Sequence, residues 1–233
     1  MSLRLNFCLA VLLFNCGTLL PQLYYVKMPA GYDKIHTTND RVSGLIGSPY
    51  LSDDWCEGSI ALYNGDIIDN IALKYNVFKK EMLFQAGGDI YVLDSPDSVL
   101  FITMGDRRFV YLPVNDRKKK SEKDYFEELS DGDACRLLLR HTASILKSNY
   151  NVALNVGEKD DRMEHQSAYY LRKDNLVVPV DRKGENLYRL LADKSAELRD
   201  FVKERNLSFA SQDDLKQIID YYNSFYLLPD GVD

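Results

Sequence analysis

A chain of 233 residues, 45% hydrophobic and 27% charged, can bury its own core, and 13 Gly with 7 Pro are too few for a collagenous or low-complexity polymer. A formal net charge of −6 opposes general nucleic-acid binding and attraction to an anionic membrane, since both need a basic surface. Sixteen Tyr against one Trp is the strong bias, and Tyr suits half-buried sheet faces as well as sugar or protein contacts.

Arg4 precedes an apolar run from Leu5 to Phe14 and then smaller or polar residues, the plan of a signal peptide over residues 1–20. The run is shorter than the roughly 20 apolar residues of a spanning helix, although Leu19 and Leu20 can extend it into a marginal anchor. A buried N-terminal helix is the third reading. Leu13-Phe14-Asn15-Cys16 stands where a bacterial lipoprotein box would be, but Phe14 and Asn15 fill positions that normally hold small residues, which disfavours lipidation of Cys16. Membrane association therefore rests on this segment alone. With Cys8 and Cys16 in the leader, the mature chain keeps Cys56 and Cys135. An exported chain can pair them in a disulfide, or each can sit apart as a small buried hydrophobe.

Residues 21–45 lack helical or strand periodicity and form an extended lead-in. From there to residue 182 the pattern is that of an antiparallel meander. Strands are expected at 58–63, 67–75, 81–85, 90–94, 99–104 and 108–113, divided by turn signals at Asn64-Gly65-Asp66, Gly87-Gly88-Asp89, Ser95-Pro96-Asp97 and Gly105-Asp106. None of these connections can hold a crossover helix, so parallel pairing is excluded there. The charge run around Arg117 to Lys120 is a solvated loop. Strand character resumes at Asp124 to Leu129 and along Cys135 to Leu146, and residues 147–167 form a long polar connection. A last hairpin joins Ala168–Arg172 to Leu176–Val180 around Lys173-Asp174-Asn175.

Residues 183–226 change to a helical period. Leu187, Leu190, Leu191, Leu198, Phe201 and Val202 make one stripe of a helix that ends near Asn206, and Leu215, Ile218, Ile219 and Tyr222 make another. Ser211 with Asp214 is a capping signal for the second. The expected fold is mainly β (α+β): a twisted antiparallel meander, curling toward an open or partial barrel, with two C-terminal helices packed on it.

Gly47-Ser48-Pro49-Tyr50-Leu51 with Asp54 and Gly58, then Asn64-Gly65 and Leu73-Lys74-Tyr75-Asn76, resembles the opening of a family of uncharacterised exported proteins from Bacteroidetes-type bacteria. Tyr125 to Leu129, Asp131-Gly132, Tyr169-Tyr170 and the ending Ile218 to Ser224 are similar to it as well. The resemblance spans about residues 45 to 226, contains no catalytic motif, and implies export and a fold without assigning an activity.

Chemistry is sparse. Cys135 and His141 lie six residues apart on one expected strand, so at ~3.3 Å per residue they stand about 20 Å from each other, beyond hydrogen-bond reach. Ser144-Ile145-Leu146-Lys147 matches S-x-x-K, a motif that works on a helix; on a strand the two side chains oppose each other. Three His, without a Cys-x-x-Cys or His-x-x-x-His pair, give zinc no site, and Glu158, Asp160, Asp161, Glu164 and His165 are interrupted by Lys159 and Arg162. No Gly-rich loop joins a strand to a helix, and no cofactor is implied. Tyr50, Trp55 and Tyr63 remain as a candidate stacking platform for a ligand, against the plainer role of plugging the end of a curved sheet. The expectation is a non-enzymatic exported binding or structural protein of the envelope or periplasm, with a protein, glycan or lipid partner; the alternative is a hydrolase with a site built from loop 147–167.

Overall fold

The computed structural model describes residues 45–114, 122–151 and 153–227. The expected signal peptide, Cys8, Cys16, the lead-in up to residue 44 and the Arg117–Lys120 run lie outside them. Eleven strands form one open, twisted sheet: β1 (Leu45–Ile46), β2 (Cys56–Leu62), β3 (Ile67–Asn76), β4 (Glu81–Ala86), β5 (Asp89–Val92), β6 (Val99–Met104), β7 (Arg107–Val114), β8 (Glu122–Glu128), β9 (Arg136–Leu146), β10 (Asp161–Lys173) and β11 (Leu176–Pro179). Three helices follow, α1 (Glu185–Leu190), α2 (Ser195–Arg205) and α3 (Gln212–Ser224).

The spatial order is β5-β4-β3-β2-β6-β7-β8-β9-β10, with β11 and β1 both on the outer edge of β10. Every pairing is antiparallel except the short β1–β10 contact. The turns are the expected ones: Gly65, Gly87, Gly88, Gly105 and Asp174 all adopt positive φ. Gly58 answers a different demand. A Cβ there would stand 2.0 Å from the Thr103 carbonyl oxygen, so only glycine lets β2 and β6 approach.

Adjacent residues of a strand face opposite sides, and β8 shows what this does. Tyr125 enters a core with Ile60, Leu73, Tyr75, Phe84, Ile102 and Phe109, whereas Phe126 enters one with Val110, Leu138, Tyr170 and Val177. Tyr75 on β3 lies four strand spacings from β8 in the sheet order, about 19 Å away in a flat sheet at ~4.8 Å per strand. Its ring nevertheless meets Tyr125 at 5.4 Å, so β3 to β8 curl around the first core. In the other direction β11 packs against β7, enclosing the opposite core.

Where β8 and β9 stop pairing beyond Phe126, the wholly buried Asp124 collects the polar groups that converge there. It accepts from Arg140 Nε at 2.8 Å, Tyr75 Oη at 3.2 Å and the Tyr125 N–H at 2.9 Å. A third apolar cluster joins Leu137 and Leu171 of the sheet to Leu187, Leu191, Leu198, Leu215, Ile218, Ile219 and Tyr222 of the helices, which therefore cover the sheet as expected.

Two local expectations change. The first helix is not continuous: Leu191, at φ −103° and ψ 41°, ends α1, and a single 3₁₀ turn at Ala192–Lys194 precedes α2. The break lets Leu187 and Leu198 both reach the core, while Phe201 moves to the rim and stacks on Tyr221 with centroids 4.1 Å apart. The polar connection is also shorter than expected, because β10 already begins at Asp161. Its first half is nearly all exposed, so the ladder to β9 defines it as a strand, not a hydrophobic pattern. Ser211 caps α3 as its sequence indicates, accepting from the Asp214 N–H.

Candidate functional site

Residues 45–51 leave the edge of β10, turn at Gly47 and cross to β3. There Tyr75 O accepts from the Leu51 N–H, and Pro49 O accepts from the Val77 N–H, each at 2.9 Å. Beside this strap lies a cleft of about 290 Å³ lined by Tyr50, Leu51, His141, His165, Gln166 and Ser167. The register explains the convergence. His141 on β9 is the cross-strand partner of Ser167 on β10, and His165 stands two residues before Ser167 on the same face. Glu127 on β8, opposite Leu139, presents its carboxylate to that face and accepts from His141 Nε2 at 2.7 Å. His165 Nε2 donates to the Ser48 carbonyl at 2.7 Å and ties the strap to the floor. The cleft thus has an aromatic and aliphatic wall, a polar floor, and one imidazole held by a carboxylate.

Of the platform expected from the sequence, Tyr50 and Trp55 come together around Lys74, whose Nζ sits 4.4 Å and 5.6 Å from their ring centroids. Lys74 covers these faces, and Nζ also donates to the Asp53 carbonyl. Tyr63 does not join them. It lies past the far end of β2, 69% exposed, so the three residues do not form one surface.

Cys56 and Cys135 are both free, the second of the two arrangements the sequence allows: Cys56 packs on the curled core and Cys135 in the helix-covered one. Burial pushes the Cys135 thiol up to about 12, which keeps it protonated at neutral pH and poor as a nucleophile. Its backbone is held by Asn223, which accepts from the Cys135 N–H and donates to its carbonyl, both at 2.9 Å. The acidic stretch around 158–165 is dispersed into local pairs. Arg162 meets Glu158 at 3.2 Å and Lys147 meets Asp161 at 2.7 Å, and among the described residues no group of His, Cys, Asp or Glu has metal-binding geometry.

Glu127 carries no sequence signal as a site; in the sequence His141 stands only as a partner for Cys135, and Gln166 and Ser167 fall at the end of the polar connection 147–167. The residue types suit one, but their meeting depends on two registers between strands whose polar stretches show little periodicity. Comparison with protein families, with curated proteins and with solved structures gives no match to the chain. Among the described residues no helix is long and apolar enough to cross a membrane.

Proposed function

We propose that the chain is an exported protein of the periplasm or cell envelope that acts by binding rather than by catalysis, with the cleft beside Tyr50 as its ligand site. The cleft itself carries the reading: Tyr50 and Leu51 supply apolar contact while His141, His165 and Ser167 supply a few convergent polar groups, the usual composition of a recognition site. Export is supported by the Arg4 and Leu5–Phe14 plan and by the resemblance to exported proteins. The test is a thermal-shift screen of the purified chain against panels of free sugars, short peptides and detergent-solubilised phospholipids. Ligands that raise Tm in the wild type and not in Tyr50→Ala support the reading; ligands indifferent to Tyr50→Ala overturn it. Protein recovered from its native host is expected to have lost about 17 to 22 N-terminal residues by intact mass, as signal peptides of this plan do.

One observation favours a second reading as a hydrolase. A carboxylate, an imidazole and a hydroxyl-bearing residue stand on three neighbouring strands as Glu127, His141 and Ser167. Covalent labelling of Ser167 by a fluorophosphonate, abolished by His141→Ala, would put this reading first.

A further inference from the structure

We propose that β10 takes up a short extended segment of a different polypeptide as an added strand, in the gap between β1 and β11. The proposal rests on the binding reading above and names the class of ligand.

β10 is thirteen residues long and pairs with β9 from Arg162 to Arg172. Its other edge is covered only at the ends, by β1 at Asp161 and Arg162 and by β11 from Tyr170 to Lys173. Between them, among the described residues, no strand pairs with β10, and Glu164 to Ala168 are all exposed. Main-chain groups alternate between the two edges of a strand. The Tyr169 carbonyl accepts from the Val180 N–H at 2.8 Å on the outer side, so Met163, His165 and Ser167 also turn their N–H and C=O outward. Gly47 lies against Met163, close enough that a Cβ on it would stand 3.3 Å from the Met163 carbonyl oxygen. Among the described residues, nothing pairs with the outward main-chain donors and acceptors of His165 and Ser167, beside the Tyr50 cleft.

The gap selects its occupant by length. Five residues at ~3.3 Å each span about 16 Å, and strands in the plane of the sheet close both ends. A second copy cannot pair through its own β10, because thirteen residues would collide with β1 and β11 of the first copy. The occupant is therefore a loop or tail that enters for a few residues and turns out again, the geometry of strand addition. Its side chains alternate too. On the cleft side one large aromatic or aliphatic side chain fits against Tyr50 and Leu51. On the reverse side the neighbours are Glu164, Gln166 and Ala168, which suit Lys, Ser or Thr. Proline is excluded where the segment must donate to the His165 or Ser167 carbonyl.

The experiment pans a random-peptide display library on the folded full chain and measures enriched peptides, made synthetically, against three variants. Ser167→Pro removes an outward N–H while leaving the ladder to β9, and Ser167→Ala keeps it. Binding is expected to weaken about tenfold or more in Ser167→Pro, the size of one lost hydrogen bond, and to hold in Ser167→Ala. Hydrogen exchange is expected to show the His165 and Ser167 amides protected in the complex. If Ser167→Pro fails to fold, N-methylation of alternate peptide amides replaces it: sensitivity at every second position supports strand addition, and insensitivity overturns it. Peptides lost in Tyr50→Ala but unchanged in Ser167→Pro overturn strand addition and leave the binding cleft standing. A library that yields no peptide sensitive to either variant overturns the proposal, and the sugar and lipid arms of the thermal-shift screen then decide the wider reading separately. Self-association of the purified chain that disappears in Ser167→Pro would place a second copy in the gap and also overturn it.

Discussion

The sheet buries one face by two different means. From β3 to β8 it curls on itself, and large rings fill the space: Tyr75 meets Phe109 and Tyr125 edge-on, with centroids 5.9 Å and 5.4 Å apart. Along β9 and β10 the same face is covered by helices, and the filling is aliphatic, from Leu137 and Leu171 to Leu191, Leu198 and Ile219. The curled region needs a polar anchor to close it, which Asp124 supplies by holding Tyr75, Arg140 and the Tyr125 amide together. The covered region needs a second layer and little else. Between the two, where neither curl nor helices reach, β8, β9 and β10 present Glu127, His141, His165 and Ser167, and the cleft lies there.

Removing the second layer should have the largest effect. Deletion from Gly184 onward uncovers Leu137, Leu171 and their neighbours as a continuous apolar surface that soluble monomers rarely carry, and aggregation by size-exclusion chromatography is expected. A truncated chain that stays monomeric with its far-UV β signal would show that the curled region stands alone and owes nothing to the helical layer.

Next comes the anchor of the curl. Asp124→Ala strands the Arg140 guanidinium and the Tyr75 hydroxyl in a buried site, and the expected loss is ~3–5 kcal/mol by denaturant titration. A loss below ~1 kcal/mol would mean that the aromatic packing alone closes the sheet. Asn223→Ala is expected to cost less, ~1–3 kcal/mol, because it leaves the Cys135 N–H and C=O without their partner while the apolar contacts of α3 survive.

The smallest effect is one of pH. Burial works against the charge of Asp193, yet the hydrogen bonds from Lys173 and Tyr222 outweigh it and hold the carboxyl below its ordinary range. A carboxyl with a lowered folded pKa adds stability above its unfolded value of about 3.9 and loses it as pH falls through the folded one. Asp193→Asn should therefore lower Tm at neutral pH, with the difference from wild type shrinking as the pH drops below about 4. A difference that is constant with pH would remove the charge from the account of how α3 is tied to β10.

Much of the curled region was legible in the sequence. Its hairpins are marked by Gly65, Gly87-Gly88 and Gly105, where positive φ is required, and its strands carry the β-branched and aromatic residues that a pleated, half-buried surface favours. The amphipathic stripes and the Ser211 cap likewise announced the helices. Leu191 shows where that reading stops. A stripe with an apolar residue at every turn does not reveal that the helix breaks there, so that α1 packs on β11 while α2 packs on α1 and α3.

Local order, then, was settled by the chain itself: where it turns, which segments extend, which coil, and how many apolar residues must be hidden, because backbone freedom and burial act within a few residues of one another. The return of β3 onto β8, the start of β10 at Asp161, the separation of Cys56 from Cys135 and the meeting of Glu127, His141 and Ser167 were decided only in the folded sheet. Each depends on the register and curl of strands far apart in sequence, and a one-residue slip in either would send those side chains to opposite faces.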